Sequence, residues 1–173
     1  MVETGKNLQL NFIALHLLNY LANKFMKIQG NIKGAPLIIT LIDSAVAAGF
    51  PSPAMDYMEE PIDIATFLVP NPLSTFYIDC EGDSMIDAGL LPGSKLIVDR
   101  SLTAKTGDMV LAYLSGGFTV KFIKFKMNKC LLIPANKKKG YLPIEITEEM
   151  EMMVWGVVTK IIIDTKNLRS CML

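Results

Sequence analysis

Thr75-Phe76-Tyr77-Ile78 runs within three residues into Glu81-Gly82-Asp83-Ser84-Met85-Ile86-Asp87. The first four residues are apolar and strand-like. The next seven are small, polar and turn-forming, and a second turn signal comes at Pro92-Gly93. A serine held this way at a strand exit can lift its hydroxyl clear of the backbone. Gly82 permits the close approach or unusual dihedral such a turn needs. The same residues also suit an ordinary Gly-Asp turn in which Ser84 caps a short helical turn through Met85.

A lysine downstream gives the serine a candidate partner. Gly116-Gly117 reads as a hairpin turn, followed by Phe118-Thr119-Val120-Lys121-Phe122-Ile123. Alternation puts Phe118, Val120 and Phe122 on one face and Thr119, Lys121 and Ile123 on the other. Lys121 then sits mid-strand among Val, Phe and Ile. A solvated or edge-strand lysine fits the pattern too. In apolar surroundings, however, the ammonium form loses its solvation and the pKa falls. A neutral amine beside a serine hydroxyl can serve as its general base, the Ser-Lys form of nucleophilic catalysis.

Outward from this pair, everything after Ser74 reads as strand and turn. The expected strands are Thr75–Asp79, Lys95–Asp99, Met109–Leu114, Phe118–Phe125, Lys129–Ile133 and Met152–Ile163. Turns intervene at Pro92-Gly93, Lys105 to Asp108, Gly116-Gly117 and Lys137 to Gly140. Short strands at this spacing predict a mainly β fold, a compact and partly open β-barrel or sandwich. A short helix is expected from Asp63 to Leu68, with Asp63 in its first turn and Pro70 and Pro72 beyond its end. Lys137-Lys138-Lys139 has no aromatic platform beside it and reads as a solvated loop.

The 173 residues suffice for one domain and an arm, and 51% hydrophobic content supports a substantial core. Zero net charge and a pI near 6.6 argue against a strong electrostatic footprint for DNA. Cys80, Cys130 and Cys171 are scattered, show no metal spacing, and suit a reducing cytoplasm. No cofactor is indicated. His16 is the sole histidine and lies far from Ser84 in sequence. Leu8 to Ile28 reads as one amphipathic helix, interrupted by Asn11, His16, Asn19 and Asn23, without the run of about 18 apolar residues of a membrane span. A helix-turn-helix needs several helices, and fewer residues than such a module requires precede Gly49. Leu37 to Val46 is apolar, Ala47-Ala48-Gly49 is small, and Pro51 and Pro53 impose extended backbone. That segment suits either a linker or a scissile stretch.

Three of these motifs together resemble the LexA/UmuD family of self-cleaving Ser-Lys peptidases, with its UmuD-like members nearest. They are Ala48-Gly49-Phe50-Pro51-Ser52-Pro53-Ala54, Gly82-Asp83-Ser84-Met85 and Phe118-Thr119-Val120-Lys121. Each is weak alone. Their order, and the 37 positions between Ser84 and Lys121, make the set specific. The resemblance covers residues from about 37 to 163. It implies the peptidase fold of that family, Ser84 as nucleophile, Lys121 as base, and self-cleavage between Ala48 and Gly49. Backbone N–H groups of Ser84 and Met85 would hold the oxyanion. The division implied is an arm over 1–48 (with 1–25 as an upstream extension if the natural start is Met26, which would give the short arm of UmuD-like proteins), a linker over 49–72, the β-rich peptidase domain over 73–163, and a loose tail over 164–173. Implied partners are a RecA–single-stranded DNA filament as co-protease, a second copy in a homodimer, and a UmuC-like translesion polymerase. Neither sequence-specific DNA binding nor a membrane is expected. A LexA-like or phage-type repressor is the alternative within the family, and a signal peptidase, which would need an anchor, lies outside it.

Overall fold

The structure is a computed structural model describing residues 37–42, 59–127 and 129–166. Among these residues the architecture is antiparallel β. Strands β1 (Ile38–Ile42) and β2 (Glu59–Asp63) form a two-stranded ladder, from Ile38 opposite Asp63 to Ile42 opposite Glu59. Neither was expected from the sequence. β2 leads directly into α1 (Ile64–Leu68). Asp63 caps this helix from outside its first turn, one position earlier than the sequence suggested. Its extended backbone lets the carboxylate accept from the Ala65 N–H at 3.1 Å and the Thr66 hydroxyl at 2.7 Å. No helix among the described residues is long and apolar enough to cross a membrane. The expected helix over Leu8–Ile28 lies outside the described residues.

The main sheet contains β3 (Thr75–Asp79), β4 (Lys95–Asp99), β5 (Met109–Leu114), β6 (Gly117–Lys126), β7 (Lys129–Ile133), β8 (Ile144–Ile146) and β9 (Met152–Ile162). Its order is β3-β4-β9-β5-β6-β7-β8, with every pairing antiparallel. The sheet stays open, with β3 and β8 as its edges among the described residues. The β5–β6 turn is Ser115-Gly116, because Leu114 pairs with Gly117 and Gly117 already belongs to β6. The sequence suggests Gly116-Gly117, one residue later.

Alternation distributes the core over both faces. Leu111, Tyr113 and Val120 pack with Leu96, Val98 and Trp155, whereas Val110, Ala112 and Ile123 pack with Leu132 and Val157. Two register irregularities bend the long β9: one between Ile97 and Val98 of β4, the other between Leu111 and Ala112 of β5. Bulges of this kind raise local twist and curl a sheet without closing it.

Gly156 lies between these irregularities, and a Cβ there would sit 2.7 Å from Val98 Cγ1 and 3.1 Å from the Asp99 carbonyl oxygen. Val98 is fully buried and cannot swing away. Gly156→Ala is therefore expected to destabilise the fold by on the order of 1–3 kcal/mol through overpacking. A lowered urea midpoint with an unchanged m-value is the expected signature. An unaltered midpoint would contradict this packing.

Candidate active site

The Ser84 turn is anchored at both ends. At the exit of β3, Cys80 donates its N–H to the Ser94 carbonyl and accepts from the Gly93 N–H, each at 2.9 Å. Gly82 then adopts φ of +89°, which turns the chain sharply. Past Ser84, the Met85 side chain is 2% exposed and packs in the core cluster with Leu90 and Leu96. The Met85 carbonyl accepts from the N–H groups of Ala88 at 3.0 Å and Leu90 at 3.3 Å, closing a 3-10 turn over Ile86–Ala88. Ser84 thus rides on a buried plug, with its side chain at the boundary between core and solvent.

Lys121 comes from the middle of β6, opposite Val110, and is 8% exposed. Its Nζ lies 2.8 Å from Ser84 Oγ, 2.8 Å from Thr119 Oγ1 and 2.9 Å from the Val120 carbonyl oxygen. Burial pushes its pKa below the ordinary lysine value, while the nearby Cys80 thiol acts weakly the other way. Deprotonation is the relief available to a buried amine that has no carboxylate partner among the described residues. In the neutral form its lone pair, at this distance, can accept the hydroxyl proton.

Thr119 also belongs to this cluster; it was not among the expected site residues, although alternation puts it on the face of Lys121. A cleft of about 620 Å³ opens beside the pair, with Gly82, Ser84 and Met85 on one wall and Gly117, Phe118 and Thr119 on the other. Neither the Ser84 N–H nor the Met85 N–H has a hydrogen-bond acceptor among the described residues, so both remain available as donors. Ala48 and Gly49, the expected scissile pair, lie outside the described residues. The Lys137–Lys139 run is exposed, and Lys139 Nζ also lies 2.6 Å from Asp83 Oδ2, next to Ser84 in sequence.

A protein-family model described as Peptidase S24-like matches residues 40–159. The chain belongs to the S24-like peptidase family. The S24 match begins within β1, ends within β9 and contains both Ser84 and Lys121. Protein SamA of Salmonella typhimurium is 38% identical to this S24 chain over 120 residues, covering 69% of it and 81% of SamA. Protein MucA of Escherichia coli is 37% identical over 119 residues, covering 69% and 80%. The LexA repressor of Carboxydothermus hydrogenoformans is 44% identical over 110 residues, covering 62% of the chain but 52% of that repressor. The expected mainly β, partly open fold agrees with both the family and the observed sheet.

Proposed function

We propose that this S24 peptidase cuts its own chain between Ala48 and Gly49, using Ser84 as nucleophile and Lys121 as general base. The observation carrying this reading is the 2.8 Å contact between a serine oxygen and a buried lysine amine, at the edge of a cleft. Neutral Lys121 takes the Ser84 proton as Oγ attacks the Ala48 carbonyl carbon. The Ser84 and Met85 N–H groups hold the resulting oxyanion. Collapse breaks the C–N bond, and Lys121 returns the proton to the departing Gly49 amine. Water, deprotonated by Lys121, then cleaves the ester and restores Ser84. No cofactor takes part. Because nucleophile and target share a chain, proximity supplies much of the acceleration, up to about 7–11 kcal/mol in well-aligned systems.

The likeness to SamA and MucA supports placing this reaction in SOS mutagenesis. In that role a RecA–single-stranded DNA filament favours the cleavable state. Residues 49–173 then dimerise in the cytoplasm and join a UmuC-like polymerase for error-prone synthesis past lesions. The LexA likeness favours a second reading, a self-cleaving repressor. It spans about half of that repressor, and specific operator binding by the intact chain would decide for it.

The direct test is to hold purified protein at alkaline pH and track fragment masses. The expected product begins at Gly49. Cutting elsewhere, or none, would refute the assignment. Thr119→Val, which deletes the hydroxyl touching the Lys121 amine without changing shape, is expected to slow the reaction about tenfold. That is the rate equivalent of one hydrogen bond of about 1.4 kcal/mol. An unchanged rate would mean the amine is oriented without Thr119.

A further inference from the structure

The segment after β7 is hydrogen-bonded to the nucleophile turn at several points. The Ala135 N–H donates to the Ser84 carbonyl at 2.8 Å, and the Asp87 N–H donates back to the Ala135 carbonyl at 2.8 Å. Asn136, 6% exposed, donates from Nδ2 to the Asp83 carbonyl at 2.9 Å and accepts the Lys139 N–H on Oδ1 at 3.1 Å. The Asp83 carboxylate accepts from the Tyr141 hydroxyl at 2.9 Å and pairs with Lys139. Asp87 accepts from the Lys137 N–H at 2.7 Å.

The carbonyls of Asp83 and Ser84 belong to the two peptide units flanking the Ser84 Cα. Both units are trans, so each carbonyl points opposite to the N–H of the same plane. Those N–H groups are the ones on Ser84 and Met85. Ala135 and Asn136 do not line the cleft, whereas Ser84 and Met85 do. Fastening both carbonyls to the 135–136 segment therefore turns both N–H groups toward the cleft and fixes the direction from which Ser84 Oγ leaves the backbone.

We propose that Asn136 is a positioning residue: its amide locks the Asp83–Ser84 peptide plane and so sets both the Ser84 hydroxyl and the oxyanion donors. This inference rests on the self-cleavage reading. Asn136 touches no reacting atom. Without its amide donor, the Asp83 carbonyl keeps, among the described residues, only the Ile86 N–H at 3.2 Å. A catalytic oxygen displaced by about 1 Å can lose on the order of 10²-fold in rate.

The test compares first-order self-cleavage of the full chain across pH for wild type, Asn136→Asp and Lys138→Ala. Asn136→Asp keeps the acceptor but loses the donor. Its plateau rate is expected to fall on the order of 10²-fold, with the pH midpoint retained and the protein still folded at the assay temperature. Lys138→Ala, in the same loop but outside these contacts, should match wild type. An undiminished rate in folded Asn136→Asp overturns the inference. A shifted pH midpoint also overturns it, because Asn136 would then act through the environment of Lys121. If Asn136→Asp does not fold, Tyr141→Phe decides: a slowing of about three- to tenfold supports the lock, and an unchanged rate overturns it. Wild type that yields no Gly49 fragment defeats the self-cleavage reading itself, whereas equal rates in wild type and Asn136→Asp defeat this inference alone.

Discussion

Ser84→Ala and Lys121→Ala are each expected to reduce self-cleavage by at least about 10³–10⁴-fold, leaving no fragment over a day at alkaline pH. Ser84→Ala removes the atom proposed to form the ester. Lys121→Ala removes the proposed base, and no other titratable side chain touches Ser84 Oγ among the described residues. If the two groups act as a unit, as proposed, the double variant should be no slower than either single one. Lys121→Arg is the sharper form of the test. It retains a positive charge and a long side chain, but a guanidinium does not deprotonate in a protein and cannot take a proton. Preserved cutting in Lys121→Arg would mean that Lys121 contributes charge rather than basicity, and the mechanism would have to be redrawn. Mass measurement of the fragment in all four variants gives the answer directly.

The second large effect is on pH. The rate should rise about tenfold per pH unit while the neutral fraction of Lys121 grows, and flatten once the amine is neutral. Two units below the midpoint it should be about 100-fold slower. The midpoint should lie below the ordinary lysine value of 10.5, because burial disfavours the ammonium form. Stability should depend on the same group. The folded-state pKa is depressed, so between that value and 10.5 the unfolded chain binds more protons than the folded one, and stability rises with pH through the window. Lys121→Met should remove that part of the rise. A rate that is flat with pH, or a midpoint at or above 10.5, would show an amine in ordinary contact with water.

Much of the sheet was legible because its strands carry their own punctuation. β3, β4, β5 and β7 have the expected bounds, set by apolar alternation and by turn residues such as Pro92-Gly93 and Gly107-Asp108. β8 has three residues, too few to display a period. β2 reads Glu59-Glu60-Pro61-Ile62-Asp63, and its acids and proline hide a strand that exists only through its partner β1. Asp63 was assigned to the right helix but to the wrong side of its boundary, since a capping carboxylate and a first-turn carboxylate look alike in sequence. At the site, Ser84 and Lys121 could be paired from local pattern, and Thr119 could have joined them by the same alternation. The contacts from Ala135 and Asn136 could not be foreseen. They run between distant backbone groups, and side-chain identity does not show where a carbonyl will find its donor.

If the chain is cut between Ala48 and Gly49 as proposed, the β1–β2 ladder would govern the fate of the severed arm. One of its strands lies upstream of that bond and the other downstream, with Ile42 facing Glu59 at the near end. Hydrolysis would leave two polypeptides still zipped along a shared ribbon. Scission and departure are then separate events, and the second is governed by the fraying of five facing residue pairs rather than by chemistry. An isolated two-stranded ribbon is marginal in water, so the severed piece would come away by thermal opening, without a further catalyst.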